Sequence, residues 1–226
     1  MKVLYCDFPD DLYFDVERDV YLGLLPNGRA RVGITTVLSF LAGHIQKIKL
    51  DTGSQHVESG QKLATIESGK YFGAVRSPVS AQVAMFNFRV ESEPRVVNND
   101  PYGEGWIAEL QGFDQGNLSG LLKGKAAAEK LEKRIAELKI RCFKKMPDEQ
   151  LISVGVECSA TLANLSEMLE KAPPGRVVHV VSDDPLAEME MVRWSDQTGN
   201  ELLETREEGK LVHFLVEKKS EGKKQE

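Results

Sequence analysis

Residues 64–83 read ATIESGKYFGAVRSPVSAQV, and the first half of the chain is understood outward from them. Val75, Val79, Val83 and Met85 share one parity of a run interrupted by Ser77-Pro78, the alternation of a half-buried strand. Ser68-Gly69 before Lys70 is turn chemistry, because glycine accepts the positive φ that a tight hairpin needs. Lys70 is therefore expected at a hairpin tip. A lysine there is exposed on a rigid base, which suits a residue that presents a covalent group to partners. The spacing alone also fits an ordinary surface lysine in a turn.

The same pattern extends to both sides. Arg29 to Ile34 alternates, with Val32 and Ile34 on one face; Ile48 with Leu50, and Trp106 with Ala108 and Leu110, repeat it. Short apolar runs separated by Gly, Pro, Asn and Ser over residues 1–112 predict a small all-β sandwich or barrel. Thr36 to Ala42 is the one segment expected to be helical. Residues 113–122, rich in Gly, Asn and Ser, read as a boundary. Beyond it Leu131, Ile135, Leu138 and Cys142 are spaced 4, 3 and 4 apart, one stripe of a helix whose other faces are Lys and Glu. That helix reads as a connector, stopped by Met146-Pro147-Asp148.

From about residue 150 the order of elements becomes β-α-β-α-β-β, a two-layer α/β sandwich. Leu162, Leu165 and Leu169 share a helical face, and Val177 to Val181 is a branched, buried strand. Asp183-Asp184-Pro185 opens a second helix as cap and first helical residue. Leu186, Met189 and Val192 or Arg193 are expected on its inner side, and Gly199 at its end. Trp106 and Trp194 are expected in the cores. The domains are thus expected at 1–118, 119–147 (helical linker), 148–219 and a charged tail at 220–226.

Composition bounds the function. A chain of 226 residues is long enough for two domains. A formal net charge of −6 argues against a general binder of nucleic acid or anionic membrane. No apolar run reaches the length of a membrane span. The N-terminal MKVLYCDFPDD has no apolar core of a secretory signal. Three cysteines, at 6, 142 and 158, form no C-x-x-C pair. Reducing cytoplasm is the expected compartment, without disulfides. Cys142 is explained by packing, and Cys6 shows no partner. His44, His56, His179 and His213 lack ligand spacing, so no metal site is expected. Asp183 and Asp184 are read as capping residues rather than an acid/base pair. Cys158 lies between a β-run and a helix; a thiol at a helix N-terminus is expected to favour thiolate, the form that accepts sulfane sulfur as a persulfide.

Residues 11–110 resemble the glycine cleavage H-proteins and their H-like lipoyl carriers. The resemblance rests on DDLYF at 10–14, RVGIT at 31–35, GQKLATIESGK at 60–70, SPVSAQV at 77–83 and VNNDPYGEGWIAEL at 97–110. Neither packing nor turn chemistry is expected to demand the NDPYGEGW string. The resemblance implies a barrel-sandwich hybrid, covalent lipoate on Lys70, and Glu67 as part of what a lipoate ligase or lipoyl transferase reads. Tyr71-Phe72-Gly73 departs from the small residues usual after the lysine. It looks more like the lipoate-binding proteins of heterodisulfide-reductase-like sulfur metabolism.

Residues 151–217 look like the TusA sulfur carriers, through VGVEC at 154–158, VVSDDPLAE at 180–188, TGNELLE at 198–204 and KLVHFLVEK at 210–218. The family's sulfur-carrying cysteine falls on Cys158. Its Cys-Pro-x-Pro is here Cys158-Ser159-Ala160-Thr161. The expectation is a carrier rather than a stand-alone enzyme, with Lys70 and Cys158 as two loading points and heterodisulfide-reductase-like or sulfur-transfer proteins as partners. One alternative is a glycine cleavage H-protein serving the P, T and L proteins, with the second domain a docking module.

Overall fold

The computed structural model describes residues 1–219; the charged tail expected at 220–226 lies outside the described residues. The chain divides into two compact units, one of residues 1–142 and one from Phe143 onward. Among the described residues no helix is long and apolar enough to cross a membrane.

The first unit runs β1 (Lys2–Val3), β2 (Cys6–Asp7), β3 (Tyr13–Asp15), β4 (Val20–Leu24), β5 (Ala30–Ile34), α1 (Thr36–Ala42), β6 (Ile45–Leu50), β7 (His56–Val57), β8 (Lys62–Ser68), β9 (Phe72–Arg76), β10 (Ala81–Phe86), the single turns α2 (Arg89–Ser92) and α3 (Val96–Asn99), β11 (Ala108–Gln111) and α4 (Gly124–Leu138). A six-stranded sheet, β3-β4-β5-β11-β10-β7, faces a three-stranded sheet, β6-β8-β9, across one core. This is a barrel-sandwich hybrid. Alternation builds it: Leu22, Val32 and Ala108 are cross-strand neighbours in one sheet, and Ile48 and Ile66 in the other; all are buried. Ser77-Pro78 lies where the chain leaves one sheet for the other. A register shift between Val83 and Met85 leaves Met85 46% exposed, so the parity read from sequence ends there.

The stripe on α4 holds for Leu131, Ile135 and Leu138, and its partner is the first unit's own second cluster; the helix ends at Leu138, where Lys139 turns left-handed at φ +53°, so Cys142 lies beyond it and Met146-Pro147-Asp148 is not what stops it. Ala127, Leu131, Ile135 and Cys142 pack with Val3, Cys6, Phe8, Phe14 and Tyr21. Arg134 donates to the buried Asp19 carboxylate at 2.7 Å. Cys6 and Cys142 form a disulfide, with Cα atoms 5.1 Å apart. The expectation of two unpaired thiols is thereby corrected. Spacing in sequence cannot reveal a pair 136 residues apart that only folding brings together.

The second unit contains β12 (Glu149–Ser153), α5 (Cys158–Lys171), β13 (Val177–Ser182), α6 (Ala187–Thr198), β14 (Glu201–Glu208) and β15 (Leu211–Glu217). Its sheet order is β12-β13-β15-β14, with β12 and β13 parallel and the remaining pairs antiparallel. Leu165 and Leu169 of α5 pack with Ala187, Met191 and Trp194 of α6 and with Val178, Val180, Phe214 and Val216 of the sheet. The indole N–H of Trp194 donates to Ser166 Oγ at 2.8 Å, tying α6 to α5. The inner face of α6 is therefore Ala187, Met191 and Trp194. Leu186, Met189 and Val192, expected inside, are 57%, 53% and 47% exposed. The segment carries two apolar stripes, and periodicity cannot rank them; the indole decides, since it buries the larger surface and finds a hydrogen-bond partner. Pro185 precedes α6 rather than starting it, while Gly199 ends it at φ +73° as expected.

Candidate functional site

Lys70 lies at the tip of the β8–β9 hairpin and is exposed. Glu67 faces Phe72 in register, and Ser68 N–H donates to Tyr71 O at 2.9 Å, so Gly69 and Lys70 form the turn. Ser68 does most of the shaping. Its Oγ accepts the N–H groups of Lys70 and Tyr71 at 3.3 and 3.1 Å, and its hydroxyl donates to Ala42 O at 2.6 Å. The tip is thereby fastened to the end of α1. Gly69 does not adopt a positive φ, which corrects the reason given for it from sequence: the serine hydroxyl closes this turn. A Cβ on Gly69 would meet nothing within 4 Å. Gly69→Ala is expected to leave folding unchanged, read by thermal unfolding.

The glycine that the site needs is Gly43, which sequence reading passed over. It ends α1 at φ +67°, ψ −156°, a region open essentially to glycine alone. A Cβ there would lie 2.7 Å from Lys70 Cε. Gly43→Ala is expected to destabilise the unit by about 1–3 kcal/mol through the backbone and to displace the lysine stem. Both follow from chemical denaturation and from the rate of Lys70 acylation.

The block at 97–106 holds this corner in place. Asn98 Nδ2 donates to Gly43 O at 2.9 Å and Ser39 Oγ at 3.1 Å, and its Oδ1 accepts Ile45 N–H at 2.8 Å. Asp100 accepts the N–H groups of Gly103 and Glu104. Tyr102 OH accepts Thr36 N–H at 2.9 Å, and Tyr21 OH donates to Pro101 O. A Cβ on Gly105 would stand 2.7 Å from Asp100 O. Packing and turn chemistry account for Asp100, Tyr102 and Gly105 of the NDPYGEGW string, contrary to the expectation from sequence: Asp100 and Tyr102 accept backbone N–H groups that would otherwise be unpaired.

Cys158 is the first residue of α5 and is buried. With no proline to set the helix start, Asp183 and Asp184, in the loop between β13 and α6, perform that work. Asp184 Oδ2 accepts Cys158 N–H at 2.9 Å and its Oδ1 accepts Leu186 N–H at 2.8 Å; Asp183 Oδ1 accepts Gly155 N–H at 2.7 Å. Asp184 thus joins the starts of two helical segments. The same carboxylate weighs on the thiol. Burial, then the negative charges of Asp184 and Glu190, push the Cys158 pKa above the ordinary thiol value. Burial and these charges act against the helix-end contribution expected to favour thiolate. Its alkylation rate is expected to fall below that of free cysteine at pH 7 and to climb with pH through a midpoint above the free thiol's. Asp184→Asn is expected to shift that midpoint down and raise the rate at pH 8 severalfold. Iodoacetamide labelling across pH checks both.

The histidines take structural places. His56 meets Glu58 at 3.0 Å on the surface. His179 and His213 stack on the sheet face of the second unit, with ring nitrogens 2.9 Å apart and Phe143 against His179. Trp106 is buried beneath the Arg31 guanidinium, 4.7 Å from the ring centroid.

Comparison with known proteins matches residues 12–134 to the family described as Glycine cleavage H-protein and residues 153–218 to Sulfurtransferase TusA. The chain is 39% identical over 139 residues to the probable glycine cleavage system H protein 2 of Sulfolobus acidocaldarius, covering 61% of this chain and 93% of the relative. It is 34% identical over 138 residues to glycine cleavage system H protein 2 of Aquifex aeolicus, covering 61% and 86%. A solved glycine cleavage system H protein from Mycobacterium marinum superposes with a TM-score of 0.47 at 22% identity, over 59% of this chain and 100% of that one.

Proposed function

Because the chain belongs to the glycine cleavage H-protein family, whose members carry lipoate covalently on a lysine, we propose that its lipoyl attachment point is Lys70. The protein is an H-protein-type lipoyl domain joined to a TusA-type sulfur-carrier domain. The observation that carries the assignment is the seat of Lys70. Its stem runs over the Cβ-free face of Gly43, and its backbone is clamped by Ser68 to the end of α1. These residues fit the group: the exposed amine is presented to a ligase from a turn whose backbone Ser68 fixes. Bound lipoate supplies a dithiolane that takes and yields groups at sulfur.

We further infer that Cys158 is a persulfide carrier coupled to that arm. In its thiolate form Cys158 attacks the sulfane sulfur of a donor. An S–S bond forms, the donor–sulfur bond breaks, and the donor leaves with the electron pair. The raised thiol pKa lowers the thiolate fraction, so loading is expected to quicken with pH. Heterodisulfide-reductase-like and other sulfur-transfer proteins are the proposed partners, beside a lipoate ligase. Tethering two loading points in one chain raises the effective concentration of one near the other. Intact mass of the protein from its native source is expected to show a lipoyl adduct that maps to Lys70, and a trapped persulfide that maps to Cys158 and vanishes in Cys158→Ser. An unmodified lysine, or equal persulfide labelling in the serine variant, refutes the respective half.

The names of its relatives favour a second reading, aminomethyl transfer in glycine cleavage. Reconstitution with glycine decarboxylase and the aminomethyl transferase separates the two. Activity there that is indifferent to Cys158→Ser would leave the second unit as a docking module.

A further inference from the structure

Two surfaces are unused by the chemistry above, and they complement each other. The first surrounds Cys158. Val154 and Val156, on the loop that leads into the cysteine, are exposed, and so are Leu186, Met189 and Val192 along the outer side of α6. The hydrogen bonds of Asp183 and Asp184 bring that loop and the start of α6 together around the thiol. This is an apolar apron in a unit whose inner helix face is already filled. Its rim is acidic: Glu157, Asp183, Asp184, Glu188 and Glu190, with Arg193 the neighbouring cation, paired to Glu190 at 3.2 Å.

The second surface is the outer face of the β6-β8-β9 sheet beside Lys70. Lys47, Glu67 and Phe72 lie in one cross-strand row, and Lys49, Thr65 and Ala74 in another. Cross-strand partners share a face, and Ile48, Ile66 and Val75 fill the opposite one. Phe72 is 75% exposed, an aromatic standing in solvent next to the carrier lysine. Gly73 and Ala74 follow it, and Lys47, Lys49 and Arg76 give the rim a positive balance against Glu67. After acylation Lys70 itself no longer adds charge.

We propose that the apron around Cys158 docks the carrier-hairpin face of a second copy of this chain, with Phe72 on the Leu186–Met189 stripe and Lys47 and Lys49 against the acidic rim. This rests on the reading of Lys70 and Cys158 as paired loading points and names what brings them together. Aromatic contact supplies the anchor, and opposite charges set orientation and encounter rate.

The test uses full-length chains and needs no transfer activity. One chain carries Ala74→Cys and Cys158→Ser, beside an intact Phe72; the other carries Arg193→Cys and Cys158→Ser, beside an intact Leu186–Met189 stripe. Mixed in a glutathione redox buffer, they are expected to form a mixed disulfide faster than a control pair in which Leu24→Cys replaces Ala74→Cys. Lys47→Glu with Lys49→Glu on the first chain is expected to slow capture about tenfold. Glu157→Lys with Glu188→Lys on the second is expected to restore it, and added salt to slow the unaltered pair. Capture no faster than the Leu24→Cys control, or indifferent to the charge reversals, overturns the docking. The mass measurements on the unaltered protein judge the loading points separately. Missing adducts with charge-dependent capture would sink the carrier reading alone, and intact adducts without capture the docking alone.

Discussion

Lys70→Arg is expected to abolish lipoylation completely while leaving the unfolding transition where it was. Arginine keeps the charge and length, but its guanidinium stays protonated and offers no free amine to acylate. Lys70 is exposed, and its side chain supports no core residue. Ser68 and Asn98 hold the hairpin by themselves. The measurement is intact mass after incubation with a lipoate ligase, with the circular dichroism melt alongside. A residual adduct at full occupancy would place the cofactor on another lysine. A large loss of stability would mean that Lys70 has a structural role instead. Ser68→Ala gives the complementary result. It removes the hydroxyl that both shapes the turn and reaches Ala42, so acylation is expected to slow while the lysine is still present.

The second large effect concerns the first unit's closure. Cys142→Ala is expected to destabilise it by roughly 4–5 kcal/mol, because the disulfide with Cys6 closes a loop of sequence separation 136 and removes that freedom from the unfolded chain. For a unit of this size that corresponds to a midpoint lower by roughly 10 °C. The effect is local. Trp106 reports on the first unit and Trp194 on the second, so guanidinium unfolding of Cys142→Ala in a Trp194→Phe background isolates the first transition. The fluorescence of Trp194 in a Trp106→Phe background is expected to be unmoved. Coincident shifts of both would mean that the units unfold as one. An unshifted Trp106 transition would mean that packing of Leu131 and Ile135 already closes the unit.

Much of the architecture was written in local pattern. Alternation over 29–34 could satisfy only a half-buried strand, since successive side chains point to opposite faces. The stripe at 131, 135 and 138 could satisfy only a helix with one covered side, although the spacing wrongly carried it on to Cys142. The carrier hairpin and the βαβαββ order of the second unit were legible for the same reason, and the motifs around Lys70 and Cys158 named the families before any contact was known.

What tertiary structure alone decided were matters of distance between residues far apart in the chain. Cys6 meets Cys142; Asn98 grips Gly43; Gly43 makes room for Lys70; Asp184 caps the helix of Cys158 and raises its pKa. The choice between two apolar stripes on α6 belongs here too, because the winner is set by what Trp194 packs against and not by its spacing. Periodicity fixes which side chains share a face. Which face is covered, and which polar groups and charges end up beside a given atom, depends on the whole chain having folded.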